Sequence, residues 1–125
     1  MKPNPNVVEL LSNLKERGKK IGVVSSAFAW MVDKVLIQLD MKKFFDIIIA
    51  SEHVTEHKPD PEAYLLALRN LGLPGSEVLI FEDSESGLIA AKRAGCDSVA
   101  FKHEFNSGHD FGLAHAVITD FNVFF

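Results

Sequence analysis

The sequence predicts an open, doubly wound α/β fold built on a parallel sheet. Three observations carry the prediction. Short apolar runs recur along the chain, helix-period segments separate them, and the runs are apolar throughout rather than alternating. Continuous apolar strands joined by single helices imply parallel strands with both faces covered. Helices on both faces of such a sheet give the doubly wound architecture.

The elements follow in order. Val7, Val8, Leu10, Leu11 and Leu14 recur at helical spacing, and Gly18 follows as a stop signal. Lys20 to Ser25 reads as a short buried strand. Met31, Val35, Leu36 and Leu39 give a second helix. Phe45 to Ala50 contains three consecutive isoleucines and reads as the second strand. Pro61 to Leu71 is a helix with Asp60 at the N-cap and Pro61 in first position, a favoured pairing, and Gly72 ends it. Val78 to Phe81 is the third strand. Ser86 to Ala94 is the fourth helix, bounded by Gly95. Val99–Phe101 and Ala116–Thr119 are two further strands. Lys102 to His109 reads as a polar loop.

Composition sets the class. At 125 residues and 13.8 kDa, residues 1–125 make one domain. Apolar residues are 47% and charged residues 24%, ordinary for a packed globular chain. No apolar run approaches the ~18 residues of a membrane span, and residues 1–6 lack a signal-peptide core. One cysteine, Cys96, excludes an internal disulfide and fits a reducing, cytoplasmic setting. A net charge of −4 without a basic tract argues against nucleic acid. Phenylalanine is abundant, with 10 copies, and those near the C-terminus are expected to pack the core and edge.

Ligands of such sheets bind beyond the carboxyl ends of the strands, and three polar groups lie there. Ser25-Ser26-Ala27 follows the first strand and precedes a helix. A hydroxyl beside helix N-terminal amides suits an anion, although serine is also a common N-cap. Lys58 is framed by Pro59 and Pro61, which either hold it at a defined place or merely shape a helix-start turn. Glu82-Asp83 follows the third strand. Two adjacent carboxylates call for a compensating positive charge, such as an oxygen-preferring Mg²⁺; alternatively one of them caps the next helix. Gly87, in the first turn of that helix, implies close approach of backbone or ligand.

In the order Ser, Lys, Glu-Asp, each at a strand end, the chain resembles the haloacid dehalogenase superfamily, especially its β-phosphoglucomutase- and phosphoglycolate-phosphatase-like branch. Lys20-Ile21-Gly22-Val23-Val24-Ser25-Ser26 matches the second motif and Lys58-Pro59-Asp60-Pro61 the third. Phe81-Glu82-Asp83-Ser84-Glu85-Ser86-Gly87, running on to Gly95, matches the fourth. The resemblance implies an Mg²⁺-dependent phosphatase or phosphomutase core acting on a small phosphorylated metabolite. Ser25 and the amides of Ser26 and Ala27 would hold the phosphoryl oxygens. Lys58 would neutralise phosphate charge and steady the nucleophile. Glu82 and Asp83 would position the metal, with Asp83 the stronger candidate for a direct ligand.

The family's first motif is a strand ending in Asp-x-Asp, and the sequence contains no Asp-x-Asp. The resemblance places that strand in the middle of the sheet and upstream of Met1, together with any cap domain. The expectations are a core lacking its central first strand, no turnover by this chain alone, and open edges on the strands at Ile21–Ser25 and Val78–Phe81. Such edges invite self-association or strand exchange. A non-catalytic phosphate-binding or oligomerisation module is the alternative. A response-regulator-like receiver shares the architecture, but the order of its motifs is wrong for this chain. His53 and His57 lack the metalloprotease pattern and read as solvated loop histidines.

Overall fold

The computed structural model describes residues 2–3, 6–103, 106 and 108–121. Helix α1 spans Val7–Glu16, strand β1 Gly22–Val24, α2 Ala29–Gln38 and β2 Ile47–Ile49. They are followed by α3 at Glu62–Leu71, β3 at Leu79–Glu82, α4 at Glu85–Arg93, β4 at Asp97–Phe101 and β5 at Ala116–Ile118. Every element expected from the sequence is present, with ends shifted by a few residues. Strands β1, β2 and β5 are shorter than expected, and β4 is longer. Phe105, Phe124 and Phe125 lie outside the described residues.

The helix ends follow local chemistry. At α3 the N-cap is Pro61 rather than Asp60, yet Asp60 Oδ1 accepts from the Glu62 amide at 2.9 Å and still supplies the side-chain oxygen. Gly72 ends α3 in the left-handed region with φ 70°, where a side chain would be strained. At α4 neither Glu82 nor Asp83 is the cap. Ser84 takes that place, its Oγ accepting from the Gly87 amide at 3.1 Å.

All strand pairings are parallel. Gly22, Val23 and Val24 pair with Ile47, Ile48 and Ile49. Leu79 to Glu82 pair with Asp97 to Ala100, and Val99 to Phe101 with Ala116 to Ile118. The ladder is split, however. Strands β1-β2 form one sheet and β3-β4-β5 another, and no described strand joins β1 to β3. Ile21 O accepts from Asp46 N at 2.7 Å, and Ser25 N donates to Ile49 O at 2.9 Å. Strand alternation therefore turns the peptide groups of Gly22 and Val24 away from β2.

Side-chain contacts hold the halves together. On one face α1 and α2 cover Ile21, Val23 and Ile48 through Leu11, Val32 and Leu36. There Leu10 also reaches Val99, Ile118 and Phe121 of the other half. On the opposite face α3 covers Ile47 and Ile49 through Ala63 and Ala67. Tyr64 packs with Ile80 and with Ala90 and Ala91 of α4. Val24 touches both clusters of that face. Neighbouring strand residues thus point to opposite helix layers, which makes the fold doubly wound. Phe121 is buried and stacks on Phe101 at 4.9 Å, as the core reading of the C-terminal phenylalanines expects.

Candidate phosphate and cation site

Each of the three polar groups sits at a carboxyl strand end: Ser25 after β1, Glu82-Asp83 at the end of β3, and Lys58 in the loop between β2 and α3. The structure joins two of the three. Lys58 Nζ donates to Glu82 Oε2 at 2.8 Å, with the two side chains 15% and 8% exposed. The Lys58–Pro59 peptide is cis. Arg93 of α4 donates to Pro59 O at 3.2 Å, fastening this loop to the helix that follows β3.

Glu82 is a buried charge, and a buried carboxylate persists only when paired and hydrogen-bonded. Besides Lys58, the Tyr64 hydroxyl donates to the same Oε2. Burial, and then the neighbouring Glu82 charge, push the Tyr64 phenol far above its ordinary 10.0, so it stays a donor. The Lys58 ammonium also lies 5.0 Å from the Tyr64 ring centre, a cation–π contact. Space for Glu82 depends on Gly87: a Cβ there would lie 2.0 Å from the carboxylate.

Asp83 behaves differently. Its side chain is 61% exposed, with His103 Nε2 at 3.4 Å from Oδ2. Its backbone is fixed by Asn106, which is buried to 3% exposure. Asn106 Nδ2 donates to Asp83 O at 2.7 Å and to Phe101 O at 2.8 Å, and its Oδ1 accepts from His103 N at 2.7 Å. One amide therefore ties the carboxyl ends of β3 and β4 together. Sequence reasoning found neither Tyr64 nor Asn106. Tyr64 falls in the apolar pattern of α3 and reads as core; Asn106 falls in a polar stretch with no periodicity.

The Ser25 loop is held separately. Ser25 Oγ accepts from the Ala27 amide at 3.1 Å, closing a short turn. Ala27 O accepts from Ser51 N at 2.9 Å. Ser25 is not the N-cap of α2; Phe28 is, without a side-chain cap. The Ala29 amide at that helix start is bonded to Glu52 Oε1 at 2.9 Å. Bonds from its own amide and from Ala29 hold the Glu52 carboxyl below its ordinary 4.5. A protein carboxylate thus takes the first amide of α2, and the Ala27 amide, one of the two expected to serve an anion, is bonded to Ser25 Oγ.

Hard oxygen donors are what this site can offer a metal. Among the described residues no three His, Cys, Asp or Glu side chains converge. A cation here would be held by one or two carboxylates and would complete its shell with water and phosphate oxygens, a coordination that suits Mg²⁺. Asp83 in the open and the Oε1 atom of Glu82 fit that role. His53 and His57 are exposed, and His53 Nδ1 accepts from Ala50 N at 2.8 Å. No helix of the described residues is long and apolar enough to cross a membrane.

Known proteins resemble this chain in sequence and in fold. The chain is 38% identical over 109 residues to a phosphorylated carbohydrates phosphatase of Thermotoga maritima, covering 86% of this chain and 50% of that one. It is 32% identical over 110 residues to phosphoglycolate phosphatase of Escherichia coli, covering 88% and 44%. The crystal structure of CbbY from Rhodobacter sphaeroides in complex with phosphate superposes with a TM-score of 0.91 at 28% identity, covering 95% of this chain and 54% of that one. The chain therefore spans about half the length of these relatives. Residues 1–101 match the haloacid dehalogenase-like hydrolase family. With the strand-end order of serine, lysine and paired carboxylates now placed on a parallel α/β core, the chain belongs to the haloacid dehalogenase-like hydrolases.

Proposed function

We propose that this chain supplies the phosphate- and cation-positioning part of an Mg²⁺-dependent phosphatase or phosphomutase acting on a small phosphorylated metabolite. The observation that carries the reading is the Lys58–Glu82 pair beside the exposed Asp83 at the end of β3. The CbbY structure with phosphate and the phosphatase relatives support the substrate class.

The roles follow from charge. The Ser25 hydroxyl and the Ser26 amide receive phosphoryl oxygens, and the Ala27 amide joins them on leaving Ser25 Oγ. Lys58, aimed by Glu82 and Tyr64, supplies positive charge to the phosphate. Asp83, with Glu82 Oε1, holds the Mg²⁺. That ion, when bound, neutralises charge on the transferring phosphoryl group. Phosphoryl transfer depends mainly on such positioning and charge stabilisation.

The nucleophile must come from elsewhere, because the sequence holds no Asp-x-Asp. The split between β1 and β3 is where a parallel strand ending in that motif would sit. In this reading the chain alone binds phosphate without hydrolysing esters, and its open strand edges self-associate.

The test measures inorganic phosphate release from sugar phosphates and phosphoglycolate with Mg²⁺. The chain alone is expected to release none. Supplying an Asp-x-Asp strand in cis is expected to give turnover that Lys58→Ala and Asp83→Ala each abolish. Turnover that survives either substitution overturns the assignment.

A further inference from the structure

We propose that Tyr64 is a positioning residue of this site, its hydroxyl fixing which oxygen of Glu82 faces Lys58 and which is left for a cation. The inference rests on the reading of Glu82-Asp83 as the cation-binding dipeptide.

Tyr64 touches both members of the ion pair. Its hydroxyl donates to Glu82 Oε2, the atom that also accepts from Lys58 at 2.8 Å. Its ring lies 5.0 Å from the same ammonium. Two donors occupy Oε2. The bond recorded at Oε1 is a long one, 3.3 Å, from the adjacent Asp83 amide. The backbone at Gly87 walls the carboxylate in. With Oε2 pinned and the far side blocked, Oε1 is the oxygen presented on the Asp83 side.

Packing does not require the hydroxyl. Tyr64 is 6% exposed in an apolar cluster with Ile80, Ala90 and Ala91, where phenylalanine would fill the same volume. A buried hydroxyl in such a place costs free energy unless it is bonded, and its bond here is to the one buried carboxylate at the strand end.

The test uses Tyr64→Phe, which deletes the hydroxyl and keeps the ring beneath Lys58. Amide shifts over Asp83–Gly87 are followed during titration with Mg²⁺ alone, and those over Ser25–Ala27 during titration with inorganic phosphate alone. The wild type is expected to bind both. Tyr64→Phe is expected to bind Mg²⁺ about tenfold more weakly, the scale of losing a partner that orients a ligand, with phosphate binding unchanged. A structural loosening would weaken both, so a joint fall overturns the positioning role. Unchanged Mg²⁺ binding overturns it while leaving the site reading intact. A wild type that binds no Mg²⁺ sinks the cation-site reading and the proposal with it. Glu82→Gln is the second variant and is expected to weaken Mg²⁺ similarly; wild-type Mg²⁺ affinity in it overturns the proposal independently.

Discussion

The carboxylate of Glu82 lies where a side chain at residue 87 would have to begin: a Cβ on Gly87 would stand 2.0 Å from both its Cδ and its Oε2. Neither partner can yield cheaply, since Gly87 is in the first turn of α4 and Glu82 is held by Lys58 and Tyr64. Gly87→Ala is therefore expected to destabilise the fold by about 3 kcal/mol, at the upper end of overpacking costs. Urea unfolding measures it. An alanine variant as stable as the wild type would show that Glu82 has another resting place.

The Lys58–Glu82 pair makes an asymmetric prediction. Removing one member of a buried pair leaves an uncompensated charge and costs about 3 to 5 kcal/mol, whereas removing both charges together costs far less. Lys58→Met is expected to fall in that range, and Lys58→Met with Glu82→Gln to recover most of the loss. Double-mutant unfolding curves read the coupling. Additive losses would mean that the pair does not act as a unit.

Asp46 gives the fold an acid limb. The bond from Lys15 and then the Ile21 amide hold its carboxyl below the ordinary 3.8. A carboxyl lowered on folding stabilises fully above its unfolded value, here 3.8, and loses that contribution as pH falls through the lower folded value. Asp46→Asn is expected to cost a constant amount of stability at neutral pH, with the gap to the wild type closing below 3.8. Stability–pH profiles of the two proteins check it. Parallel profiles down to the lowest pH would remove Asp46 from the acid response.

The split sheet predicts association. Strands β1 and β3 each pair on one side only among the described residues, and unpaired edges recruit other strands. Leu79 at the start of β3 is 46% exposed and adds an apolar contact. Sedimentation velocity is expected to show dimers or larger species at micromolar concentration. Leu79→Lys is expected to shift the distribution toward monomer, because edge lysines oppose strand addition. A wild type that sediments as a monomer throughout counts against open edges.

Much of this was legible in the sequence because hydrophobic period reports burial directly. The Ile47-Ile48-Ile49 run announced a strand covered on both faces, and the structure sends Ile48 to one helix layer and Ile47 and Ile49 to the other. Gly87 announced a close approach, and Cys96 is buried, its thiol raised by that burial. Partnerships were harder to read. Nothing in a linear pattern says that Tyr64 reaches Glu82 across 18 positions, or that Asn106 reaches back 23 to Asp83. Such bonds depend on which strand ends become neighbours. The capping of α2 is hidden for a similar reason: the partner of its first amide, Glu52, comes from beyond the next strand.

The divided ladder also bears on how the molecule can flex. Within each half, sliding or twisting a strand breaks backbone hydrogen bonds. Between the halves the links run through side chains: Leu10 and Leu11 of α1 on one face, Val24 against the α3 and α4 layer on the other, and the bonds of Lys58 and Tyr64 to Glu82. Shifting β1-β2 against β3-β4-β5 would strain packing and the bonds to Glu82 but would cut no ladder. Among the described residues no backbone ladder crosses the seam between β1 and β3, so the placement of Ser25 relative to Asp83 rests on side chains rather than on sheet hydrogen bonds.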